Sequence, residues 1–497
     1  MAIIKLKRAR NSLLNVSKFP PEILGEIFRH NTALHATYFP SMKRPYNFLL
    51  VCHHWFEVAS HTPDLWGFWG RNPQDWIKRY LQYPAAPLNL VLDDEQSDST
   101  NVTLDDNLRN ALQTRAMQDT IQQIRLVSGD WGILNSIISS LTGHEGIRSS
   151  SVESVDLRFE DFFEPPLPIV SDFLANYYFP KLQRLELHDC TIPSWDLKTS
   201  ALTSLKIYGQ FPSFTITSSQ ILSILRSNPL LRCILLDVCA VPNDSNVKSS
   251  RVPLIHLTEL SLSGYPQDIL ALLHQLDCPV KMDSLFLNMA GDRVRVDDTL
   301  GIVGPYLRDY VRRRGRSQSG LAVSIQTLDG LIKLSIGDTK DFSLPGPDAF
   351  HPFAEVEIYI GQDLSGEDSL DFIACVLREE ITYLMTTNVP VSTEAISTRF
   401  PSIKGMHFSD TPLRVAFPDS NLDQVQISSS LRYIRVGECW EDGVDGRDWN
   451  LLANFLDRIA SSGNRLDKLD IEDCCDIDPE VEMRIAGAVR EFMEFGC

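Results

Sequence analysis

Cysteine and histidine residues that are adjacent in sequence are the first candidates for chemistry. Cys52 is followed by His53 and His54, and Cys474 is followed by Cys475. Thiolate and imidazole groups bind zinc, but a zinc site usually needs four ligands that converge on one point. Because adjacent residues of a helix point to different faces, Cys52, His53 and His54 are not expected to share a metal ion. The Cys474–Cys475 pair could suggest redox chemistry.

The sequence lacks the signature motifs of several common enzyme classes. No HExxH, GxSxG, GxGxxG or GxxxxGK[ST] occurs; such motifs would hold a metal, a nucleophile, a dinucleotide or a nucleotide phosphate. Aspartate and glutamate are too scattered to indicate an acid–base pair. The motifs therefore indicate none of these enzyme classes, and we predict no cofactor and no metal site.

The arginine-rich stretch RRRGR, residues 312–316, has two interpretations. It could bind an anion or act as a nuclear signal. The apolar residues Leu300, Leu307 and Val311 precede it at helical spacing, so the arginines more readily end an amphipathic helix, where cations suit the helix dipole.

Composition and charge limit the partners of the chain. Its 497 residues are 43% hydrophobic, which allows a sizeable core in two or more domains or in one long repeat array. The net charge of −19 disfavours nucleic-acid binding. The chain has ten cysteines but no CxxC, which is typical of reduced thiols. Without a signal-peptide pattern or an apolar run of roughly 18 residues, we expect a soluble cytoplasmic or nuclear protein that does not contact membranes.

A leucine pattern recurs along most of the chain. The segments LQRLELHDC (182–190), LRCILLDVC (231–239), LRYIRVGEC (431–439) and LDKLDIEDC (466–474) fit L-x-x-L-x-L-x-x-C, allowing isoleucine or valine for leucine. With any large apolar residue at the first position, thirteen members begin at Ile121, Val152, Leu182, Leu202, Leu231, Leu257, Met282, Leu331, Phe353, Ile381, Ile403, Leu431 and Leu466. Most spacings lie near the leucine-rich-repeat period of roughly 20–29 residues. PLNLVL, from Pro87, is a candidate degenerate first member.

The ninth position of the pattern supports this interpretation. In leucine-rich repeats a small residue, Asn or Cys, turns inward there and bonds the backbone of the turn. Cys190, Cys239, Cys439 and Cys474 occupy this position, far more than ten cysteines placed at random would supply. Cys474 is thereby explained as a repeat residue rather than a redox group.

Amphipathic helices are predicted between several of these strands. They cover residues 218–228, 266–277, 367–380 and 449–463. A strand–loop–helix unit repeated along the chain predicts an α/β fold, a curved solenoid with strands on its concave face and helices on its convex face.

The N-terminal region has a different pattern. FPPEILGEIFRH (19–30) predicts a helix that begins at Pro20 and Pro21, followed by a polar connection over residues 29–46. LLVCHHWFEVASHTPDLW (49–66) predicts a second helix that Pro63 ends. Two short helices cannot cover all their apolar side chains, so some must face another surface.

These two segments resemble the F-box, particularly as found in fungal proteins. The residues that match its pattern are Pro20, Glu22, Ile23, Ile27, Phe28, Val51, Cys52, Trp55, Thr62, Pro63, Leu65 and Trp66. Phe19 replaces the usual leucine, and His53 and His54 replace residues that are usually basic. We predict an N-terminal tail over 1–16, a helical F-box over 17–66, a linker or first degenerate repeat over 67–120, and a leucine-rich-repeat-like domain over 121–497.

The resemblance implies a function in which other subunits transfer ubiquitin, so we predict that this chain is not an enzyme and has no catalytic residue of its own. F-box proteins are substrate receptors of Skp–cullin–F-box ubiquitin ligases: their helices pack on the Skp adaptor, which joins them to a cullin, and the other domain holds a protein substrate. It implies adaptor contacts by Pro20, Ile23, Leu24, Ile27, Phe28, Val51 and Trp55. The alternative is a non-catalytic repeat scaffold that binds partners without assembling into a ligase.

The substrate is expected on the concave strand face. Because side chains alternate along a strand, the third, fifth and seventh positions of each member point away from the leucines. The candidates for substrate binding are Glu186, His188, Lys206, Tyr208, Phe286, Glu357, Tyr359, Arg435, Asp470 and Glu472, and Arg184, Glu355 and Tyr383 share the same positions. Acids outnumber bases among them, which favours a basic or mixed protein substrate over a phosphorylated one.

Overall fold

The computed structural model describes most of the regular elements of the chain. The described residues are 19–38, 51–62, 65, 68–69, 88–93, 120–128, 151–159, 179–190, 199, 201–209, 216–238, 251–279, 282–289, 296–314, 321–328, 331–339, 350–359, 366–377, 381–418, 427–437, 447–472 and 477–495. The chain forms two compact units, Met1–Leu257 and Thr258–Cys497. This division falls inside the range predicted as one repeat domain, whereas the boundaries after residues 16, 66 and 120 stay predictions.

The first unit begins with two helices, α1 (Pro21–Tyr38) and α2 (His53–Ser60). Proline at the first helical position and Glu22 in the first turn both favour the start of α1. The expected polar connection from residue 29 is wrong in its first part, since α1 continues to Tyr38. No Gly or Pro interrupts residues 29–38, and Pro40 disfavours helical geometry only at the residue before it.

A small core holds the two helices together. It consists of Leu24, Phe28, Val58, Ala59 and Leu65, with Trp55 packed against it. The rings of Phe28 and Trp55 lie 5.1 Å apart between centroids and are tilted by 57°. Gly25 contributes by its size, because a Cβ there would lie 3.5 Å from the Thr62 hydroxyl. The absence of a side chain therefore lets α1 approach the end of α2 closely.

The remainder of the first unit is a parallel sheet with one described helix. Its elements are β1 (Phe68–Trp69), β2 (Leu88–Asp93), β3 (Ile121–Ser128), β4 (Ser154–Phe159), β5 (Arg184–His188), β6 (Ser204–Gly209), α3 (Ser218–Ser227), β7 (Cys233–Val238) and the short β8 (Val252–Pro253). Strands β1 to β7 pair in chain order, each parallel to the next. Parallel neighbours need a crossover between them, which the long connections provide.

The second unit has the same mixture of strands and helices. Its elements are β9 (Glu259–Gly264), α4 (Pro266–Gln275), β10 (Leu276–Asp277), β11 (Ser284–Met289), α5 (Val296–Arg314), β12 (Leu321–Leu328), β13 (Leu331–Thr339), β14 (Phe350–Tyr359), α6 (Gly366–Leu377), β15 (Ile381–Thr387), α7 (Thr393–Arg399), β16 (Gly405–Ser409), α8 (Leu413–Ala416), β17 (Tyr433–Gly437), α9 (Arg447–Ser461), β18 (Leu466–Glu472), α10 (Pro479–Ala488) and β19 (Val489–Phe495). All four predicted amphipathic helices are confirmed, as α3, α4, α6 and α9. The helix expected before the arginine run is α5. The fold class α/β is thus shown.

The parallel strands from β3 to β7, the pair β9 and β11, and the strands from β15 to β18 keep one common register, as the alignment of the leucines predicts for these members. The fourth-position residue Leu185 pairs with Leu205, and Ile434 pairs with Leu469. The backbone repeats as well: the Gln183 carbonyl accepts from the amides of residues 203 and 204, at 2.8 and 2.9 Å. The carbonyl of Arg432, at the second position and just before β17, accepts from the amides of residues 467 and 468 in the same way. Leucines at the fourth and sixth positions are buried and form the core beneath the strands.

The ends of these strands also share a geometry. Asp189, Asn388 and Asp410, all at the eighth position, have φ angles of 51–53°, a left-handed conformation that Asn and Asp tolerate. At the ninth position the Cys190 thiol donates to the carbonyl of residue 188 at 3.1 Å, and the Thr411 hydroxyl donates to that of residue 409 at 3.2 Å. Cys190 therefore plays the role predicted for it. Cys239, Cys439 and Cys474 lie outside the described residues.

Three strands of the second unit break the simple order. β14 pairs parallel with β11, β13 is antiparallel to both β14 and β12, and β12 pairs parallel with β15. The repeat member predicted at Leu331 is therefore wrong in direction. The one predicted at Phe353 is displaced by two residues, because Leu285 pairs with Ala354. The reason is the Asp329-Gly330 dipeptide between β12 and β13, a sequence that favours a tight antiparallel hairpin.

Candidate functional site

The N-terminal helices carry a group of exposed apolar side chains. This N-terminal apolar patch consists of Phe19 (44% exposed), Ile23 (48%), Ile27 (44%), Val51 (52%) and Phe56 (41%). Ile23 and Ile27 are four residues apart on α1, so they share one helix face. Several large apolar side chains that remain this exposed on two packed helices and the residues just before them favour a surface for another molecule.

The residues expected to contact an adaptor divide into two sets. Leu24 and Phe28 are 0% and 1% exposed and belong to the small core, so their predicted direct contact is corrected to a supporting role. They are i and i+4 on the inner face of α1. Pro20, Ile23, Ile27 and Val51 are exposed, and Trp55 is half-buried. Pro63 and Trp66 lie outside the described residues.

The first of the two histidines after Cys52 takes part in a local ion pair, whereas the Nε2 of His54 is buried without a hydrogen-bond partner among the described residues. His53 Nδ1 lies 3.3 Å from a Glu57 carboxylate oxygen on the next turn of α2. The single cluster of potential metal ligands among the described residues lies elsewhere in the chain, on β4 and β5.

A network of charged side chains covers strands β3 to β6 in the first unit. This first polar face consists of Arg125, Asp156, Arg158, Glu186, His188, Lys206 and Tyr208, all at the fifth or seventh position. Arg158 bridges two carboxylates: its Nε donates to Asp156 at 3.0 Å and its Nη2 to Glu186 at 2.9 Å. His188 Nε2 lies 2.9 Å from the same Glu186 oxygen, and the His188 ring stacks on Tyr208 with centroids 4.0 Å apart.

These contacts keep Glu186 ionised. Burial alone would raise its pKa, but the hydrogen bond with His188 and the charges of Lys206 and Arg158 lower the pKa to about 2. Asp156, Glu186 and His188 offer ligand atoms within 4.8 Å of one another, which is suitable spacing for a metal ion. Because Arg158 already bonds both carboxylates, a metal would have to displace a guanidinium, so the geometry favours an ion-pair network.

The second unit has a comparable arrangement on β15 to β18. This second polar face consists of Tyr383, His407, Tyr433, Arg435, Lys468, Asp470 and Glu472, at the third, fifth and seventh positions. The Tyr433 hydroxyl donates to Asp470 Oδ2 at 2.7 Å, and Lys468 Nζ lies 3.2 Å from that same oxygen. Arg435 pairs with Glu472. The Lys468 ammonium lies 5.9 Å from the centroid of the Tyr433 ring, a cation–π geometry.

Burial distinguishes this second face from the first. Tyr383, Arg435 and Asp470 are 7%, 7% and 3% exposed, although the strand pattern predicts open positions. The prediction failed because long side chains on adjacent strands bond and stack on one another, and so exclude water. Gly405 has no side chain to separate the rings of Tyr383 and Tyr433, whose centroids lie 6.1 Å apart.

Burial also changes the acid–base properties of this face. It is the main cause that lowers the pKa of His407 to about 3, with the Arg435 charge adding to the effect. Burial likewise raises the pKa of the Tyr433 hydroxyl far above its usual range, with Tyr383 and the bond to Asp470 contributing. His407 is therefore neutral throughout the physiological range.

The other predicted substrate positions lie on neighbouring strands. Phe286 on β11 is half-buried. Glu357 on β14 lies 3.3 Å from Lys333, which also lies 3.5 Å from Glu355. Arg184 is exposed, and the side chain of Tyr359 lies outside the described residues. The structure thus groups Glu186, His188, Lys206 and Tyr208 on one face, and Arg435, Asp470 and Glu472 on the other.

Sequence reasoning missed several members of both faces. They are Arg125, Asp156 and Arg158 in the first, and His407, Tyr433 and Lys468 in the second. All six lie at odd positions of members already aligned, so the same alternation rule applied to every member would have found them.

Comparison with known proteins identifies no related family or protein. No protein-family model matches the chain, and no curated protein matches it at a significant level. Within the described part of the chain, no helix combines the length and apolar content needed to cross a bilayer.

Proposed function

We propose that this chain is the substrate receptor of a Skp–cullin–F-box ubiquitin ligase. In this proposal the N-terminal apolar patch docks on a Skp-type adaptor, which links the chain to a cullin, and the strand faces of a leucine-rich-repeat-like solenoid bind a protein substrate in the cytoplasm or nucleus. The observation that carries the proposal is the patch itself, in which α1, α2 and the residues just before them expose five large apolar side chains within a segment that matches the F-box pattern.

The energetics suit a stable docking surface. Fully burying an apolar side chain of this size contributes about 1.5–3 kcal/mol. Each of the five is roughly half exposed, so covering them would contribute on the order of 1 kcal/mol each, before the costs of association. The module also has a core of its own, so a partner meets a surface already formed. Pre-organisation of this kind lowers the cost of binding.

The common strand register supports the second half of the proposal. Equal repeat positions pair from β3 to β7 and again from β15 to β18. This regularity favours a solenoid made of similar units, whose odd positions vary in chemistry while the leucines hold the core.

Co-purification with a Skp-type adaptor tests the proposal. We expect wild-type chain to retain the adaptor, and the double variant Ile23→Glu/Ile27→Glu to bind at least about tenfold more weakly, because two charges would be buried at the interface. Ile255→Glu is the matched control, since Ile255 is 71% exposed and lies outside the patch. Far-ultraviolet circular dichroism checks that each variant is folded.

Two outcomes would contradict the proposal. Unchanged adaptor binding by Ile23→Glu/Ile27→Glu would refute the patch as the docking surface. Absence of adaptor binding by the wild-type chain would favour the alternative, a repeat scaffold that works without the ligase.

A further inference from the structure

The second polar face contains a buried carboxylate with an unused oxygen. Asp470 is 3% exposed, and its Oδ2 is bonded by Tyr433 and Lys468. Its other oxygen, Oδ1, has no hydrogen-bond partner within the described part of the chain. A buried acceptor without a partner costs free energy, so an unsatisfied carboxylate oxygen indicates that a donor is missing.

Lys468 shows which kind of donor fits this position. Its ammonium lies against Asp470 Oδ2 and over the Tyr433 ring, so a carboxylate and an aromatic face already hold one cation there. Lys468 is two residues from Asp470 on the same strand, and its ammonium bonds one oxygen only. An ammonium from another chain has three donors and no such tether, so it can bond both oxygens.

The neighbouring charges favour a cation as the ligand. Asp470 and Glu472 balance Lys468 and Arg435, and Arg435 is held by Glu472. The titratable neighbours His407, Tyr383 and Tyr433 are uncharged, because burial lowers the pKa of the histidine and raises the pKa of each tyrosine. If Lys468 moves aside, the site is left with one net negative charge. An acidic or phosphorylated segment would meet the two carboxylates and be repelled.

Access to the site depends on Lys468. The Lys468 side chain is 12% exposed, against 4% for the side chain of Asp470, so the lysine is the more exposed member of the pair. A flexible four-carbon chain can rotate away without a change in the sheet. We propose that Asp470 and Tyr433 form a binding site for the ammonium of a substrate lysine, and that Lys468 occupies this site in the free chain. The inference rests on the proposed function, whose substrate class it names.

If Lys468 occupies the site in the free chain, substitutions of Asp470 and of Lys468 should change the affinity for a lysine peptide in opposite directions. The probe is a fluorescein-labelled dodecapeptide of alternating lysine and serine, measured by fluorescence anisotropy with the full chain near physiological salt. Asp470→Asn should weaken binding by about tenfold or more, since it removes the charge that attracts the ammonium. Lys468→Met should strengthen binding by about threefold or more, because the competing cation is gone.

Matched controls separate the site from the general acidity of the chain. Lys333→Met removes a cation that lies between Glu355 and Glu357, and Asp457→Asn removes an exposed carboxylate of α9. Both should stay within about twofold of wild type, since exposed charges at a distance are screened. Acetylation of the peptide lysines, which removes their charge, should abolish binding.

The inference would be overturned if the site variants and their controls bound the peptide with equal affinity. If Asp470→Asn matches Asp457→Asn, or Lys468→Met matches Lys333→Met, the peptide binds by general charge only. Tighter binding of a glutamate–serine peptide would also refute it. If Asp470→Asn fails to fold, the peptide affinity of Lys468→Met relative to Lys333→Met still tests the inference. The assay contains no adaptor, so failure of adaptor binding and failure of this site are separate results.

Discussion

Acidification should destabilise the second unit through His407. The folded chain keeps this imidazole neutral down to a pKa of about 3, whereas an unfolded chain takes up the proton near the ordinary value of 6.5. Below pH 6.5 the unfolded state therefore binds a proton that the folded state cannot. Stability falls as pH decreases from about 6.5 towards about 3, and it is fully present above this range.

The magnitude follows from the width of this window. Each pH unit inside it costs about 1.4 kcal/mol, so lowering the pH from 7.5 to 5.0 should cost about 2 kcal/mol from His407 alone. His407→Gln removes the titration and keeps a polar side chain. The variant should be less stable than wild type at pH 7.5, and the difference should shrink by about 2 kcal/mol at pH 5.0.

The assay must report on the second unit, because a chain with two units need not unfold in one step. Urea-dependent hydrogen exchange of peptides from β15 to β17 provides this, and carbon-13 labelling of histidines follows the protonation directly. Equal pH dependence in wild type and His407→Gln would refute the reasoning. So would a His407 resonance that titrates near pH 6.5.

Two further predictions concern packing and reactivity. Gly405→Ala would place its Cβ 2.5 Å from Tyr383 Cδ2 and should destabilise the second unit by about 1–3 kcal/mol in urea unfolding. The control is Gly487→Ala in α10, where no atom lies within 4 Å of the added Cβ, and it should stabilise the unit by about 0.5–1 kcal/mol because alanine favours a helix. Unchanged stability of Gly405→Ala would show that the tyrosine rings are loosely held. Burial, with the charge of Asp189 adding to it, raises the pKa of the Cys190 thiol far above its usual range. Iodoacetamide at mildly alkaline pH should therefore alkylate Cys190 only after denaturation, as measured by mass spectrometry. Rapid alkylation in the native chain would contradict the inward position of this thiol.

The leucine pattern was sufficient to align most strands. Fourth- and sixth-position residues such as Leu185 and Leu187 are buried where the pattern placed them. One local signal was overlooked: Pro at the second position of a turn precedes three strands, at Pro180, Pro229 and Pro401. In each case a backbone bond closes the turn, as from Leu182 to Phe179 at 3.2 Å. Proline fixes the φ angle that such turns need.

Sequence reasoning could not predict that polar side chains on the outward face of the sheet are buried by their neighbours. Alternation states which side of the sheet a residue faces, but not what its neighbours do there. Arg435 and Asp470 face as predicted and are nevertheless buried, because partners on other strands cover them. For the N-terminal helices, the surplus of apolar residues was evident. Which of them face inwards depends on how α1 and α2 pack, and this packing buries Phe28 and exposes Ile27.

The displaced order of β12, β13 and β14 constrains how the chain can acquire its structure during synthesis. β11 ends at Met289, but β14, its parallel neighbour, begins only at Phe350, about sixty residues later. The sheet of the second unit therefore cannot grow one strand at a time as the chain leaves the ribosome. One edge of β11 must wait, with its hydrogen-bonding groups unpaired, until the following three strands have been made and have folded back. At roughly 5–20 residues per second that interval lasts several seconds, long enough for a chaperone to bind.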